Sequence, residues 1–164
     1  MKHKKGVVRN VLIGFLIIDL IVVILIMLRP SEERLYVNDF IGKLKLKPIE
    51  ASPMQIDASG VPIIIVHFNS QCDECQNEAA ELSRTMEEFK NTRFILISSE
   101  EETVIRQFEK DFHLNAPNIT VARITATAEA ERFSLPHTFV FGRDGNFIRE
   151  YRGFTTSNEL LSSL

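Results

Sequence analysis

The sequence contains only two cysteines, Cys72 and Cys75, among its 164 residues, and it has no tryptophan. A disulfide between two positions so close together would close a very short loop, so it would add little stability. A second Cys-x-x-Cys or Cys-x-x-His motif is absent, which leaves half of a zinc site as a weak alternative. Internal repeats and low-complexity segments are absent as well. The pair is therefore better suited to redox chemistry than to holding the fold together.

The chain also lacks an excess of positive charge. Residues 31–164 carry 14 Lys and Arg against 21 Asp and Glu, a net charge of −7. Such an acidic segment gives no support for nucleic-acid binding. Its length is that of one domain, large enough to form a hydrophobic core without disulfides.

A long apolar segment covers residues 11–28 and is interrupted only by Gly14 and Asp19. Its fifteen Leu, Ile, Val and Phe residues each contribute about −0.3 to −0.6 kcal/mol to membrane insertion, which outweighs about +2.5 to +3.5 kcal/mol for Asp19. We therefore expect one transmembrane helix. Asp19 either pairs with a second membrane subunit or is tolerated in a single anchor.

Basic residues precede this apolar segment, so its N-terminus is expected to stay cytoplasmic while the rest of the chain is exported. A cleavable signal peptide is the alternative interpretation, but the segment is long for one and no small-x-small cleavage site follows it. The predicted layout is a cytoplasmic basic tip and transmembrane anchor at 1–30, a juxtamembrane linker at 31–39 and a folded domain at 40–164. This places a single-pass protein in the cytoplasmic membrane of a bacterium.

The rest of the chain alternates between strand and helix patterns. Continuous β-branched runs predict strands buried on both faces, and amphipathic spacing predicts the helices between them. Ser99 and Glu102 have the spacing of a capping box. The predicted elements are an edge strand at 40–49, buried strands at 61–68, 94–98 and 119–124, helices at 73–90, 104–112, 126–133 and 155–164, and a hairpin joining 138–142 to 147–152. This order implies an α/β fold with a mixed central sheet flanked by helices.

The two cysteines lie between the buried strand at 61–68 and the helix that begins near residue 73. A cysteine at the first turn of a helix lies close to unpaired backbone N–H groups and to the positive end of the helix dipole, both of which favour the thiolate. The second cysteine is about one turn away and within reach of an internal disulfide. Placed at the carboxyl end of a buried strand, the pair is interpreted as a redox switch.

Three segments resemble the thioredoxin fold, and specifically the membrane-anchored TlpA/ResA-like thiol–disulfide oxidoreductases of the redoxin group. The resemblance covers roughly residues 38–164. It is carried by the strand at 61–68 followed by Asn69-Ser70-Gln71-Cys72-Asp73-Glu74-Cys75, by Cys75-Gln76-Asn77-Glu78, and by Ser134-Leu135-Pro136-His137-Thr138-Phe139-Val140-Phe141 followed by Asp144-Gly145.

The resemblance implies a role for each matching residue. Cys72 would be the attacking thiol and Cys75 the resolving thiol, and Glu78 would be a partly buried acid that moves a proton to or from the pair. Pro136 would be a cis-proline facing the cysteines. No cofactor is implied beyond the redox-active Cys72–Cys75 disulfide. An ordinary solvated helix glutamate is the alternative interpretation of Glu78.

The sequence departs from the family around the cysteines. The family usually has an aromatic residue, often Trp, shortly before the first cysteine, whereas this chain has Asn-Ser-Gln. Asp73 and Glu74 lie between the cysteines and oppose a thiolate electrostatically. Because a destabilised thiolate disfavours the reduced form, we expect a reducing couple that acts as a reductant or isomerase.

The resemblance also implies partners: cysteine pairs of exported proteins, apocytochrome c among them, and a membrane thiol-transfer protein as the electron source. Two other functions stay open, a thiol peroxidase of the redoxin type and a non-catalytic, membrane-tethered accessory module. The histidines are not assigned to catalysis. His67 is expected to be a core histidine with its hydrogen bonds satisfied, and His137 either approaches the site or lies on the strand surface.

Overall fold

The computed structural model describes residues 18–20, 35–49, 60–126 and 133–164. The chain divides into two units, Met1–Arg34 and Leu35–Leu164. Residues 18–20 are helical, and the rest of the expected anchor at 11–28 lies outside the described residues, as does most of the helix expected at 126–133. Among the residues described, no helix has both the length and the apolar character needed to span a membrane.

The second unit consists of a mixed sheet with helices on both faces. Its helices are α1 (Val37–Leu44), α2 (Asp73–Thr85), α3 (Glu102–Asp111) and α4 (Ser157–Ser162), and a 3-10 turn at Met86–Phe89 continues α2. Its strands are β1 (Leu46–Pro48), β2 (Ile63–His67), β3 (Arg93–Ser98), β4 (Ile119–Ile124), β5 (His137–Phe141) and β6 (Phe147–Arg152).

Within the described residues the six strands lie in the order β1-β4-β3-β2-β5-β6. The central strands β2, β3 and β4 are parallel, while β5, β6 and β1 add to the edges in the antiparallel sense. This confirms the expected mixed sheet. The parallel strands β2 and β3 are joined through α2, as a crossover between parallel strands requires.

Side chains of β2 alternate between two hydrophobic cores, one on each face of the sheet. Ile64 and Val66 pack on the face that carries α2, α3 and α4. Ile63 and Ile65 pack on the other face, against α1. Every residue of β2 is buried, which explains its continuous β-branched sequence.

The edge strand expected at 40–49 is wrong for most of its length, because residues 37–44 form helix α1. Its buried residues Val37, Phe40, Ile41 and Leu44 have helical spacing, and burying each side chain stabilises the helix by about 1.5–3 kcal/mol. Lys45 ends the helix in the left-handed conformation (φ 48°), and only 46–48 continue as a strand.

The capping box expected from Ser99 and Glu102 is also wrong. Helix α3 begins two residues later than a Ser99 cap would require, and its N-cap is Glu101, which makes no side-chain capping bond. The Glu101 carboxylate instead pairs with Arg123 on β4 at 2.6 Å. A tertiary ion pair has replaced the local cap, which sequence spacing alone could not reveal.

Candidate redox site

Cys72 is the N-cap residue of α2, in extended conformation, and its Sγ accepts a hydrogen bond from the backbone N–H of Cys75 at 3.3 Å. Such a bond strengthens when the sulfur carries negative charge. The Cys72 carbonyl accepts the N–H of Gln76 at 3.0 Å, so hydrogen bonds hold both the backbone and the side chain of Cys72. Cys72 is partly exposed, and both cysteines are free thiols.

Cys75 differs from Cys72 in its exposure. Its side chain is buried within the core beneath α2, with 2% of its surface exposed. Burial is the main reason why the pKa of the Cys75 thiol is strongly raised, and the hydrogen bond to Cys72 and the charges of Cys72 and Glu78 raise it further. One sulfur is therefore accessible, while the other is buried and favours its protonated form.

Glu78 lies one helical turn beyond Cys75 and is 1% exposed, so it is not the solvated helix glutamate of the alternative interpretation. Thr138 on β5 donates its hydroxyl to Glu78 Oε1 at 2.8 Å, and Oε2 has no hydrogen-bonding partner of normal geometry among the described residues. Burial raises the pKa of Glu78 to about 7, and the charge of Glu74 adds to the effect, although the hydrogen bond from Thr138 and the nearby Thr155 backbone oppose it. A carboxyl group with such a pKa can accept or release a proton near neutral pH.

Pro136 precedes β5 and is buried, and the Leu135–Pro136 peptide bond is cis, as the resemblance implies. Its carbonyl accepts the N–H of Gly153 at 2.8 Å. Two residues further on, Thr138 binds Glu78. The start of β5 thus connects Pro136 to the buried acid. The catalytic roles of Pro136 and Glu78 stay predictions.

The loop before Cys72 is held by a residue that the sequence analysis missed. Glu100, just after β3, accepts hydrogen bonds from the Ser70 backbone N–H at 2.8 Å, from the Ser70 hydroxyl at 2.7 Å and from the Ser98 hydroxyl at 3.2 Å. Gln76 on α2 donates its side-chain amide to the Ser70 carbonyl at 2.8 Å. A polar network therefore positions the loop in which the family usually has an aromatic residue. Its only sequence signal is a carboxylate after a strand end, which is not specific.

A second missed element is the loop at 153–155, which lies between β6 and α4. Gly153 adopts a left-handed conformation (φ 86°), a signal for a tight turn that the sequence analysis did not use. The backbone N–H of Phe154 donates to Glu74 Oε2 at 3.3 Å, and the Thr155 backbone lies close enough to the Glu78 carboxyl to lower its pKa. This loop therefore lies against Glu74 and Glu78 of α2.

His67 and His137 lie opposite each other on β2 and β5, on the face of the sheet away from Cys75 and Glu78. Both are buried, so the surface position considered for His137 is wrong. The Nδ1 atoms of both rings lack partners among the described residues, so His67 is a core histidine but not a satisfied one. Burial, with the charge of His137 second, lowers the pKa of His67 to about 4. Burial also lowers the pKa of His137, although Glu150, 3.0 Å from its Nε2, opposes the shift.

An open groove of about 500 Å³ lies next to the cysteine loop, between α2 and α3. Its walls combine apolar side chains of α3 with polar groups of the cysteine loop, and among its lining residues are Ser70, Gln76, Val104, Phe108 and Phe112.

Comparison with known proteins finds similarity in structure only. No protein-family model matches the chain, and no curated protein matches it in sequence. A secreted disulfide oxidoreductase of Mycobacterium tuberculosis, homologous to E. coli DsbE, superposes with a TM-score of 0.59 at 18% identity, covering 74% of this chain and 94% of that one. StoA from Bacillus subtilis gives a TM-score of 0.57 at 18% identity, over 71% of this chain and 92% of that one.

The exposed lipoprotein thioredoxin Etrx1 of Streptococcus pneumoniae is similar to the same extent, with a TM-score of 0.56 at 16% identity over 71% of this chain and 93% of that one. At such low sequence identities the structural similarity establishes the fold alone. The chain therefore has a thioredoxin-like α/β fold, with a mixed central sheet flanked by helices, as the sequence predicts.

Proposed function

We propose that this protein is a thiol–disulfide oxidoreductase whose Cys72–Cys75 pair exchanges with cysteine pairs of exported proteins. The observation that carries the proposal is the asymmetry of the pair. Cys72 is partly exposed at the start of α2, whereas Cys75 is buried one turn away and lies next to the buried Glu78. Disulfide exchange requires one accessible attacking sulfur and one resolving sulfur that is released in turn.

In the reducing direction, the Cys72 thiolate attacks a sulfur of the substrate disulfide. A mixed disulfide forms, and one substrate sulfur leaves as a thiolate that takes up a proton from solvent. Cys75 then gives its proton to the Glu78 carboxylate and attacks Cys72 Sγ. The second substrate sulfur leaves, the Cys72–Cys75 disulfide forms, and two electrons have passed to the substrate. Glu78 suits this step because its pKa of about 7 leaves a share of the group ionised at neutral pH.

The proposed direction is reductive. Asp73 and Glu74 place two acidic side chains between the cysteines, and negative charge there disfavours a thiolate and hence the reduced form. Such a couple donates electrons more readily than one whose thiolate is specially stabilised. An isomerase role fits the same chemistry.

The proposed location is the outer face of the cytoplasmic membrane, with the apolar segment at 11–28 as a single anchor and the N-terminus in the cytoplasm. Electrons would then come from a membrane thiol-transfer protein. Substrates would be exported proteins with reducible cysteine pairs, apocytochrome c among them.

The test is reduction of insulin disulfides by the purified full chain, kept reduced by a dithiol reagent. We expect turnover by wild type, none by Cys72→Ser, and accumulation of a mixed disulfide by Cys75→Ser. Ser83→Ala on α2, away from the cysteines, serves as the control and should match wild type. Turnover that survives Cys72→Ser would contradict the proposal, and rapid consumption of hydrogen peroxide in place of insulin reduction would favour a thiol peroxidase.

A further inference from the structure

Three consecutive residues of the 153–155 loop lie against three different parts of the redox site. Gly153 donates its N–H to the Pro136 carbonyl at 2.8 Å, and Phe154 donates its N–H to Glu74 Oε2 at 3.3 Å. The Thr155 backbone lies close enough to the Glu78 carboxyl to lower its pKa. The loop therefore joins Pro136, the acid between the cysteines and the buried acid in one short stretch of backbone.

Glu74 and Asp73 are adjacent acids between the same two cysteines, but only Glu74 reaches this loop. Both are exposed, and both lie in the first turn of α2, where the helix dipole favours a carboxylate. Asp73 makes no side-chain hydrogen bond with the part of the chain that the structure describes, whereas Glu74 binds the N–H of Phe154. The two residues thus separate the effect of charge between the cysteines from the effect of contact with the loop.

A Cβ atom at residue 153 would lie 3.3 Å from Glu74 Oε2, so the Glu74 carboxylate packs closely against the turn at Gly153. Glu74 therefore has two close contacts with the loop, which a surface acid near the start of a helix does not need. We propose that Glu74 is a positioning residue, whose carboxylate fastens the 153–155 loop to the cysteine helix and so keeps the Thr155 backbone against Glu78.

Among the residues that the structure describes, the titratable groups that act on Glu78 are Glu74 and Cys75 of its own helix. The neighbouring elements contribute polar groups, the Thr138 hydroxyl on β5 and the Thr155 backbone of the loop. Glu74 therefore acts on Glu78 in two opposite ways. Its charge makes Glu78 harder to ionise, and the loop that it holds places the Thr155 backbone near Glu78, which makes Glu78 easier to ionise.

This opposition distinguishes two substitutions at residue 74. Glu74→Gln removes the charge but keeps an oxygen that accepts the Phe154 N–H, so Glu78 should ionise at lower pH than in wild type. Glu74→Ala removes the charge and the contact together. Its Glu78 should ionise at higher pH than in Glu74→Gln, because the Thr155 backbone is no longer held near the carboxyl.

The experiment measures amide hydrogen exchange at Phe154 and Thr155, and the titration of the Glu78 carboxyl by carbon-13 NMR, in the full reduced chain. We expect Glu74→Ala to lose roughly tenfold protection at Phe154, the effect of one hydrogen bond to a charged group. Glu74→Gln and the matched control Asp73→Ala should keep most of that protection. Asp73→Ala should also leave the Glu78 titration midpoint in place.

The proposal is overturned if Asp73→Ala and Glu74→Ala lose the same protection, or if Phe154 keeps wild-type protection in Glu74→Ala. A Glu78 midpoint that is equal in Glu74→Gln and Glu74→Ala also overturns it. These readouts do not depend on enzymatic turnover. If wild type fails to reduce disulfides, the proposed function is lost while the role of Glu74 is still decided. If the protein is active, the pH profile of exchange should follow the Glu78 midpoint of each variant, and a profile unmoved by Glu74→Gln counts against the proposal.

Discussion

Replacing Glu78 by Gln should make the protein more stable at alkaline pH and leave its stability in acid nearly unchanged. Glu78 is buried, and its pKa is raised from 4.5 to about 7, mainly by burial. The folded protein therefore binds this proton more readily than the unfolded chain does. The stability that depends on the protonated form is complete below about pH 4.5 and is lost as the pH rises through about 7.

The size of this stability difference follows from the two pKa values of Glu78, 4.5 in the unfolded chain and about 7 in the folded protein. At about 1.4 kcal/mol for each pH unit between them, ionising Glu78 in the folded state costs roughly 3 kcal/mol above pH 7. Glutamine has nearly the same shape and keeps an oxygen for the Thr138 hydroxyl, but it never ionises. Glu78→Gln should therefore exceed wild type by up to about 3 kcal/mol at high pH, and the gap should close in acid.

The assay is urea unfolding of the reduced protein across about pH 4 to 9, comparing wild type with Glu78→Gln. Glu87→Gln, at an exposed position that follows α2, is the control and should give a constant small difference. A gap between wild type and Glu78→Gln that does not change with pH would refute the reasoning. A gap that widens in acid would refute it as well, because the sign of the linkage would be reversed.

The same substitution should separate stability from chemistry. If Glu78 accepts the Cys75 proton, the rate of insulin reduction by Glu78→Gln should fall by about 10²-fold, at the lower end of what a positioned acid–base group contributes. The mixed disulfide with Cys72 should then accumulate, because only the resolving step is slowed. A variant that is more stable at high pH and fully active would leave Glu78 as a buried acid without a role in exchange.

Three further substitutions test other parts of the structure. Wild type should lose roughly 3 kcal/mol of folding stability as the pH falls from 6.5 through about 4, because the pKa of His67 is lowered in the folded state. His67→Phe should remove this loss, and unfolding curves recorded in acid measure it. Ser70→Ala should slow disulfide exchange roughly tenfold, because it removes a hydrogen bond to Glu100. In the Ser70→Ala background, Glu100→Gln should slow the exchange rate little further, which a double-mutant cycle measures. Fully additive effects of the two substitutions would contradict the network. Gly153→Ala should lower the free energy of urea unfolding by about 1–2 kcal/mol, because residue 153 has a φ of 86°. Gly42→Ala is the control and should not destabilise the protein, because a Cβ there meets no atom within 4 Å. Equal effects of the two substitutions would count against a strained turn at Gly153.

The sequence predicts the central strands well because their burial is complete. β2 and β3 lie between two layers of helices, so both faces need apolar side chains, and the runs at 63–67 and 94–98 show this directly. The segment at 40–49 misled the prediction because alternating lysines imitate the two-residue period of a strand. The helical spacing of Val37, Phe40, Ile41 and Leu44 starts three residues earlier and becomes evident only when the window is extended.

The candidate site likewise combines residues that are close together in the sequence with partners that are distant in the sequence. The cysteine pair and Glu78 belong to one helix, so their spacing is visible in the sequence. The partners that set the chemistry are far along the chain: Glu100 is 30 residues from Ser70, and Phe154 is 80 residues from Glu74. Sequence spacing carries no information about such contacts, because they depend on which strand ends meet at one edge of the sheet.

His67 on β2 and Glu78 on α2 are both buried, lie on opposite faces of the sheet and respond to pH in opposite ways. Burial keeps His67 uncharged above about pH 4 and Glu78 uncharged below about pH 7, so neither residue carries a buried charge in the interval between. Only one end of this interval lies near physiological pH. Glu78 can therefore exchange a proton under the conditions in which the cysteines react, whereas His67 stays neutral. The position of Glu78 on the cysteine face, rather than burial as such, is what makes it the candidate proton carrier of this site.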